Sequence, residues 1–271
     1  MIKSPNETVT VESCGNLLTI TLNRPHVLNA LNLEMTEALS TITAAITKES
    51  NIRVVLLKGA GEHFMAGGDL KFFKEMRENT PNRSSFAQAF KELIPKVQAP
   101  IQELRRLRQP VLASVQGSVA GYGFSLMNAC DMVIAANNTF FTIAYPRIGA
   151  SPDGGSTWTL PRVIGYRRTF ELMALGDKFD APTAHAFGIV NQLTELGQLE
   201  KQTTELAQRL VAAPALAISN TKKLLFDSPG NSLEQQLSRE GECFVECSEH
   251  ADFEEGINAF LDKRSPNFNM S

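Results

Sequence analysis

No apolar run in this 271-residue chain approaches the roughly 18 residues needed to cross a bilayer. There is no basic surplus either: 26 Lys and Arg face 29 Asp and Glu, for a net charge of −3. Nucleic-acid binders usually carry the opposite balance, so neither a nucleic-acid nor a membrane partner is expected. Cysteine is sparse, with four residues, which suits a reducing compartment and not a disulfide-built scaffold. The opening MIKSPNETVTVESCG lacks the apolar segment of a secretory signal, and a cytoplasmic location is expected. Cys243, Cys247 and His250 share one helical face at i, i+4 and i+7. No fourth ligand is suggested nearby and the two-pair zinc spacing is missing. No metal site is expected.

What is present describes an ordinary globular protein: 43% hydrophobic and 20% charged residues. NLLTITLN (16–23) alternates like a strand, and RVVLLKG (53–59) reads as a buried one. Between them Met35, Ala38, Leu39, Ile42, Ala45 and Ile46 fall on one helical face, with Asn32 as N-cap. A helix near 86–108, a strand at VLASVQG, a helix at GYGFSLMNAC and a strand at DMVIAA repeat the pattern, which implies an α/β core. The polar, Pro-containing stretch 76–85 is expected to be a mobile loop. After about 195 the strands stop and four amphipathic helices follow, suited to capping the core or meeting another subunit.

Three segments carry candidate chemistry. HFMAGGDL (63–70) follows a strand, and its small residues let backbone N–H groups approach a ligand. QGSVAGYGFSLMNACD (116–131) follows another strand, with Gly117, Gly121 and Gly123 spaced to cradle an oxyanion or phosphate where a helix begins. That spacing also resembles the cofactor loop of short-chain dehydrogenases. Their loop follows the first strand, however, and no Tyr here is followed four residues on by Lys. A hydrolase elbow at Ser125 would need Gly at 127, where Met stands. His63 and His185 read as packing or surface residues. The third segment, SPDGGS (151–156), holds Asp153, the only acidic residue between Asp131 and Glu171. Paired N–H donors and one acid/base are what a thioester enolate requires.

LNRPHVLNAL (22–31), HFMAGGDLKFF (63–73), QPVLASVQGSVAGYGFSLMNACDMVIA (109–135), PRIGASPDGGSTWTLPRVIG (146–165) and INAFLDKRSPNF (257–268) together resemble the enoyl-CoA hydratase/isomerase (crotonase) superfamily. SPDGG, with W-x-LPR and the KRSP-x-F ending, is most similar to its phenylacetate-pathway isomerase branch. The resemblance implies an α/β spiral of ββα repeats over 1–195 holding an acyl-CoA site. It also implies a helical oligomerisation region over 196–271, in a homotrimer or a dimer of trimers. Coenzyme A would enter as the substrate thioester, with no resident cofactor.

By the same resemblance the backbone N–H groups of Ala66 and Tyr122 form the oxyanion hole. The family usually has Gly where Tyr122 stands. Asp153 is implied as the acid/base of a proton shift. Arg24, His26 and Lys263 fall at CoA-contacting places, with Met65, Gly67, Gly68, Asp69, Leu70, Gly121 and Pro146 as further substrate-binding positions. An apolar wall of Phe124, Trp158 and Met65 would make Asp153 a stronger base. Family hydratases use two glutamates, and their positions here hold Ser125 and Arg147. Neither side chain can serve as a carboxylate base, so isomerisation is expected over hydration or mere binding of the ester.

Overall fold

The computed structural model describes residues 2–268, built from repeated turns of long strand, short strand and helix. β1 (Val9–Cys14) and β2 (Leu17–Leu22) form an antiparallel hairpin that leads to α1 (Leu33–Ile46). Next come β3 (Val54–Gly59), α2 (Leu70–Glu78) and α3 (Arg83–Arg106). The following turn holds β4 (Val111–Val115), β5 (Ser118–Ala120) and α4 (Tyr122–Asn128). Another holds β6 (Met132–Ala136), β7 (Phe140–Thr142), α5 (Ser156–Ile164) and α6 (Tyr166–Leu175). β8 (Phe179–Asp180), α7 (Ala181–Ala186) and β9 (Gln192–Thr194) end the strands. The helices α8 (Leu199–Val211), α9 (Ala215–Asp227), α10 (Leu233–Ser248) and α11 (Ala251–Leu261) follow.

The long strands line up as β1-β2-β3-β4-β6-β9, parallel from β2 onward. The short ones make a second sheet, β5-β7-β8, which the segment after β3 joins through a bridge between Met65 and Val119. β3 shows why the central strands read as unbroken apolar runs. Val55 and Leu57 face the core shared with α1 and α3, while Val54 and Leu56 face Leu199, Leu206 and Ala207 of α8. A parallel strand covered on both faces has no polar side. The back face is pinned by a buried hydrogen bond between Ser114 and Thr203 (2.8 Å). α8 is thus part of the core layer, although it falls within the 196–271 region expected to serve oligomerisation.

α1 buries the face expected of it, and the Asn32 side chain accepts from Met35 N at 3.0 Å, satisfying one orphan donor. The expectation of a mobile loop over 76–85 is corrected. α2 runs to Glu78 and α3 begins at Arg83, capped by the Asn82 side chain accepting from Ser85 N (2.9 Å). The edge-to-face contact of Phe90 with Phe73 (5.3 Å) joins the two helices, and Arg77 of α2 lies over the Phe86 ring of α3 (5.8 Å). α9 is fixed by Lys222, whose ammonium meets Asp131 at 2.7 Å and donates to the Gln109 carbonyl. Burial lowers the Lys222 pKa, and the Asp131 charge opposes that shift. No helix among the described residues is long and apolar enough to cross a membrane.

Candidate active site

The carboxyl ends of β3 and β4 meet where the two glycine-rich segments lie side by side. Met65 N–H donates to Ser118 C=O (3.1 Å), and Met65 C=O accepts from Ala120 N–H (2.9 Å). Gly67, at φ 102°, and Gly121, at φ 51°, take conformations that side chains disfavour. Their backbones nearly touch: a β-carbon on Gly67 would lie 3.7 Å from Gly121 Cα. Leu31 uses Gly67 C=O (2.8 Å) and Asp69 N–H (2.9 Å). Strand alternation then turns the N–H of Gly68 to the side away from Leu31.

The Ala66 N–H, expected in the oxyanion hole, donates instead to Leu28 C=O at 3.0 Å. That expectation is corrected: the N–H groups of Gly67 and Gly68, not that of Ala66, are without a partner among the described residues. Tyr122 N–H is equally unpartnered, as the first residue of α4. Arg24 and Asp69, both expected at the ligand, meet each other at 3.2 Å, and Arg24 also donates to Ala30 C=O. Arg24 therefore braces the loop instead of offering open charge to CoA. Asp69 additionally caps α2 by accepting from Lys71 N.

Asp153 arrives from the other side. Its Oδ1 accepts from the Tyr145 hydroxyl at 2.7 Å, and its backbone carbonyl accepts from Gln98 of α3 at 3.0 Å. The next residue, Gly154, rests on α4: a β-carbon there would fall 2.5 Å from Ser125 Cβ and 3.5 Å from the Tyr122 ring. Tyr122 stands where the resemblance puts glycine, its side chain turned into the protein and donating to Val97 C=O at 2.6 Å. Burial, then the neighbouring Tyr145 and Asp153, push its phenol pKa up. Tyr145 is shifted the same way, first by burial and then by Asp153. Both remain protonated donors.

The other expected residues divide. Met65 is fully buried beneath Gly123, while Leu70 is exposed at the start of α2. His26 is exposed on the short turn after β2. Pro146 packs on Gly176. Lys263 follows α11, in a segment whose Phe268 carbonyl accepts from Arg53 at the far, N-terminal end of β3. One chain does not gather it with the loop after β3. The expected apolar wall is also corrected: Phe124 meets Phe141 and Phe179 edge-to-face, and Trp158 lies against Arg162 and Phe226. Arg147 donates to Gly176 C=O. His63 accepts from Ser118 N, a packing role as expected. Nothing in the sequence singles out Tyr145 or Gln98. A left-handed turn at Gly149 separates Tyr145 from Asp153 and leaves no periodic signal.

Residues 12–271 match the enoyl-CoA hydratase/isomerase family. A 1,2-epoxyphenylacetyl-CoA isomerase of Escherichia coli K12 is 34% identical over 93% of this chain and 94% of its own. A probable enoyl-CoA hydratase of Rhodobacter capsulatus is also 34% identical, over 96% and 97%. Among solved structures, an enoyl-CoA hydratase from Polaromonas sp. JS666 superposes with TM-score 0.88 at 34% identity, covering 96% of this chain and 98% of that one. One from Streptomyces coelicolor A3(2), titled a putative enoyl-CoA hydratase, reaches 0.91 at 29% identity, covering 100% and 98%. With its spiral of strands and helices and its paired glycine segments, the chain belongs to the enoyl-CoA hydratase/isomerase family.

Proposed function

We propose that this protein is an acyl-CoA isomerase that shifts a double bond in an enoyl-CoA or ring-derived acyl-CoA. The N–H groups of Gly68 and Tyr122 hold the thioester oxygen as it becomes an enolate. Asp153 removes a proton α or γ to the carbonyl and returns it elsewhere on the same face. The observation that carries this reading is the Asp153 carboxylate, held at 2.7 Å by Tyr145 on a loop pressed against the first turn of α4. Coenzyme A is bound as part of the substrate, with exposed His26 as a contact for its phosphates. A homotrimer or dimer of trimers is supported by apolar side chains left open on the last helices, such as Phe260 (84% exposed) and Phe244 (64%).

Proton NMR of 3-enoyl-CoA and crotonyl-CoA in D₂O tests the reading. Deuterium entering at the α or γ carbon, without accumulation of a 3-hydroxy ester, is the expected result. Hydrated product as the main species would overturn it. Hydratase names are as frequent as isomerase names among the relatives, so hydration has one direct further test. Ser125 occupies a place where the resemblance puts a hydratase carboxylate, and Gly154 rests on its β-carbon. Ser125→Glu has no room to extend. It is expected to lower isomerase turnover at least about tenfold and to create no hydration, followed by loss of the crotonyl-CoA absorbance.

A further inference from the structure

The hydroxyl that holds Asp153 sits in a chain of its own. We propose that Tyr145 is a positioning residue that fixes the Asp153 carboxylate through Oδ1, so that Oδ2 alone takes and returns the substrate proton. The inference rests on the isomerase reading above. Four observations support it. The Tyr145 hydroxyl donates to Asp153 Oδ1 at 2.7 Å, while Oδ2 has no hydrogen-bond partner among the described residues. The Asp153 backbone is fixed independently, through Gln98 on α3 (3.0 Å), so both the main chain and the side chain of this residue are held. Behind Tyr145 stand Ser125 (3.5 Å from the phenol oxygen) and Ser156 (3.1 Å from Ser125 Oγ), all three buried. Finally, burial and the neighbouring carboxylate push the phenol's pKa up, which keeps it protonated as a donor.

Ser125 therefore has a use beyond the absence of a glutamate. It is small enough for Gly154 to rest on it, and its hydroxyl extends the chain that ends on Asp153. In the proton shift, the substrate C–H bond breaks, its proton goes to Oδ2, and its electron pair enters the enolate. The same oxygen then gives the proton to the other carbon. Tyr145 keeps its own proton throughout. The titratable groups facing Asp153 are Tyr145 and the Tyr122 phenol, whose hydroxyl is committed to Val97. Gln98 is neutral.

A hydrogen bond to the charged carboxylate favours that form. Removing it moves protonation of the base to higher pH. Turnover of a 3-enoyl-CoA ester is measured across pH for wild type, Tyr145→Phe and protein carrying 3-fluorotyrosine at all three tyrosines. Tyr145→Phe is expected to lower kcat about 10- to 100-fold, with KM within about twofold, because a loosened base misaligns the reacting atoms. The acid limb of its pH profile moves up by about one unit. The more acidic fluorophenol is a stronger donor and moves that limb down. A Tyr145→Phe protein with wild-type kcat and an unmoved limb overturns the proposal. Should that variant not fold, an unmoved limb in the fluorotyrosine protein overturns it instead. Asp153→Asn separates the two levels. Retained exchange in that variant removes the base assignment itself. Lost exchange, with Tyr145→Phe behaving as wild type, removes only the positioning role.

Discussion

Asp153→Asn is expected to exchange substrate deuterium about 10²- to 10⁴-fold more slowly than wild type, the usual worth of a positioned general base. The substitution is nearly isosteric, and the amide oxygen can still accept from Tyr145 where Oδ1 now does at 2.7 Å. Gln98 bonds the backbone carbonyl, which the change leaves alone. The loop therefore keeps its shape and only the ability to take a proton is lost, since an amide is not a base. Binding of the CoA ester, followed by calorimetry, should stay near the wild-type affinity. Wild-type exchange in this variant would remove Asp153 from the mechanism. Loss of both exchange and ester binding would show that the loop had moved.

A single methyl group placed in the cradle should be nearly as damaging. A β-carbon at Gly123 would lie 2.4 Å from Met65 C=O and 2.7 Å from Met65 Cβ. The first of these is backbone, tied to Ala120 N–H at 2.9 Å, so Gly123→Ala can be accommodated only by parting the two segments that present Gly68 and Tyr122. Misplacing one oxyanion donor costs about 2.7–4 kcal/mol, or 10²–10³ in kcat. The variant should show that loss together with a lower melting temperature. Gly197→Ala is the matched control. A β-carbon there meets nothing within 4 Å on the short turn before α8, and it should leave turnover unchanged. Wild-type turnover in Gly123→Ala would mean that the cradle is not where the enolate forms.

Long, periodic elements were legible in advance. The face of α1, its Asn32 cap, the run of β3 and the four final helices all follow from patterns within a single segment. Asp153 stood out because few charges surround it in the sequence. What was hidden depends on partners far along the chain. Ala-Gly-Gly does not say which N–H is free; the carbonyl of Leu28 decides that by engaging Ala66. Arg24 looked like a cation for CoA until Asp69 came beside it. β5, β7 and β8, of two or three residues each, are too short to show a period of two. The polarity of 76–85 suggested a loop, whereas Asn82 and a cluster of phenylalanines held it as two helix ends.

Consecutive residues of α3, Val97 and Gln98, receive the Tyr122 hydroxyl and anchor the Asp153 carbonyl. The loop that carries Asp153 and the first turn of α4 are therefore both referenced to one helix, so a shift of α3 would disturb the two together.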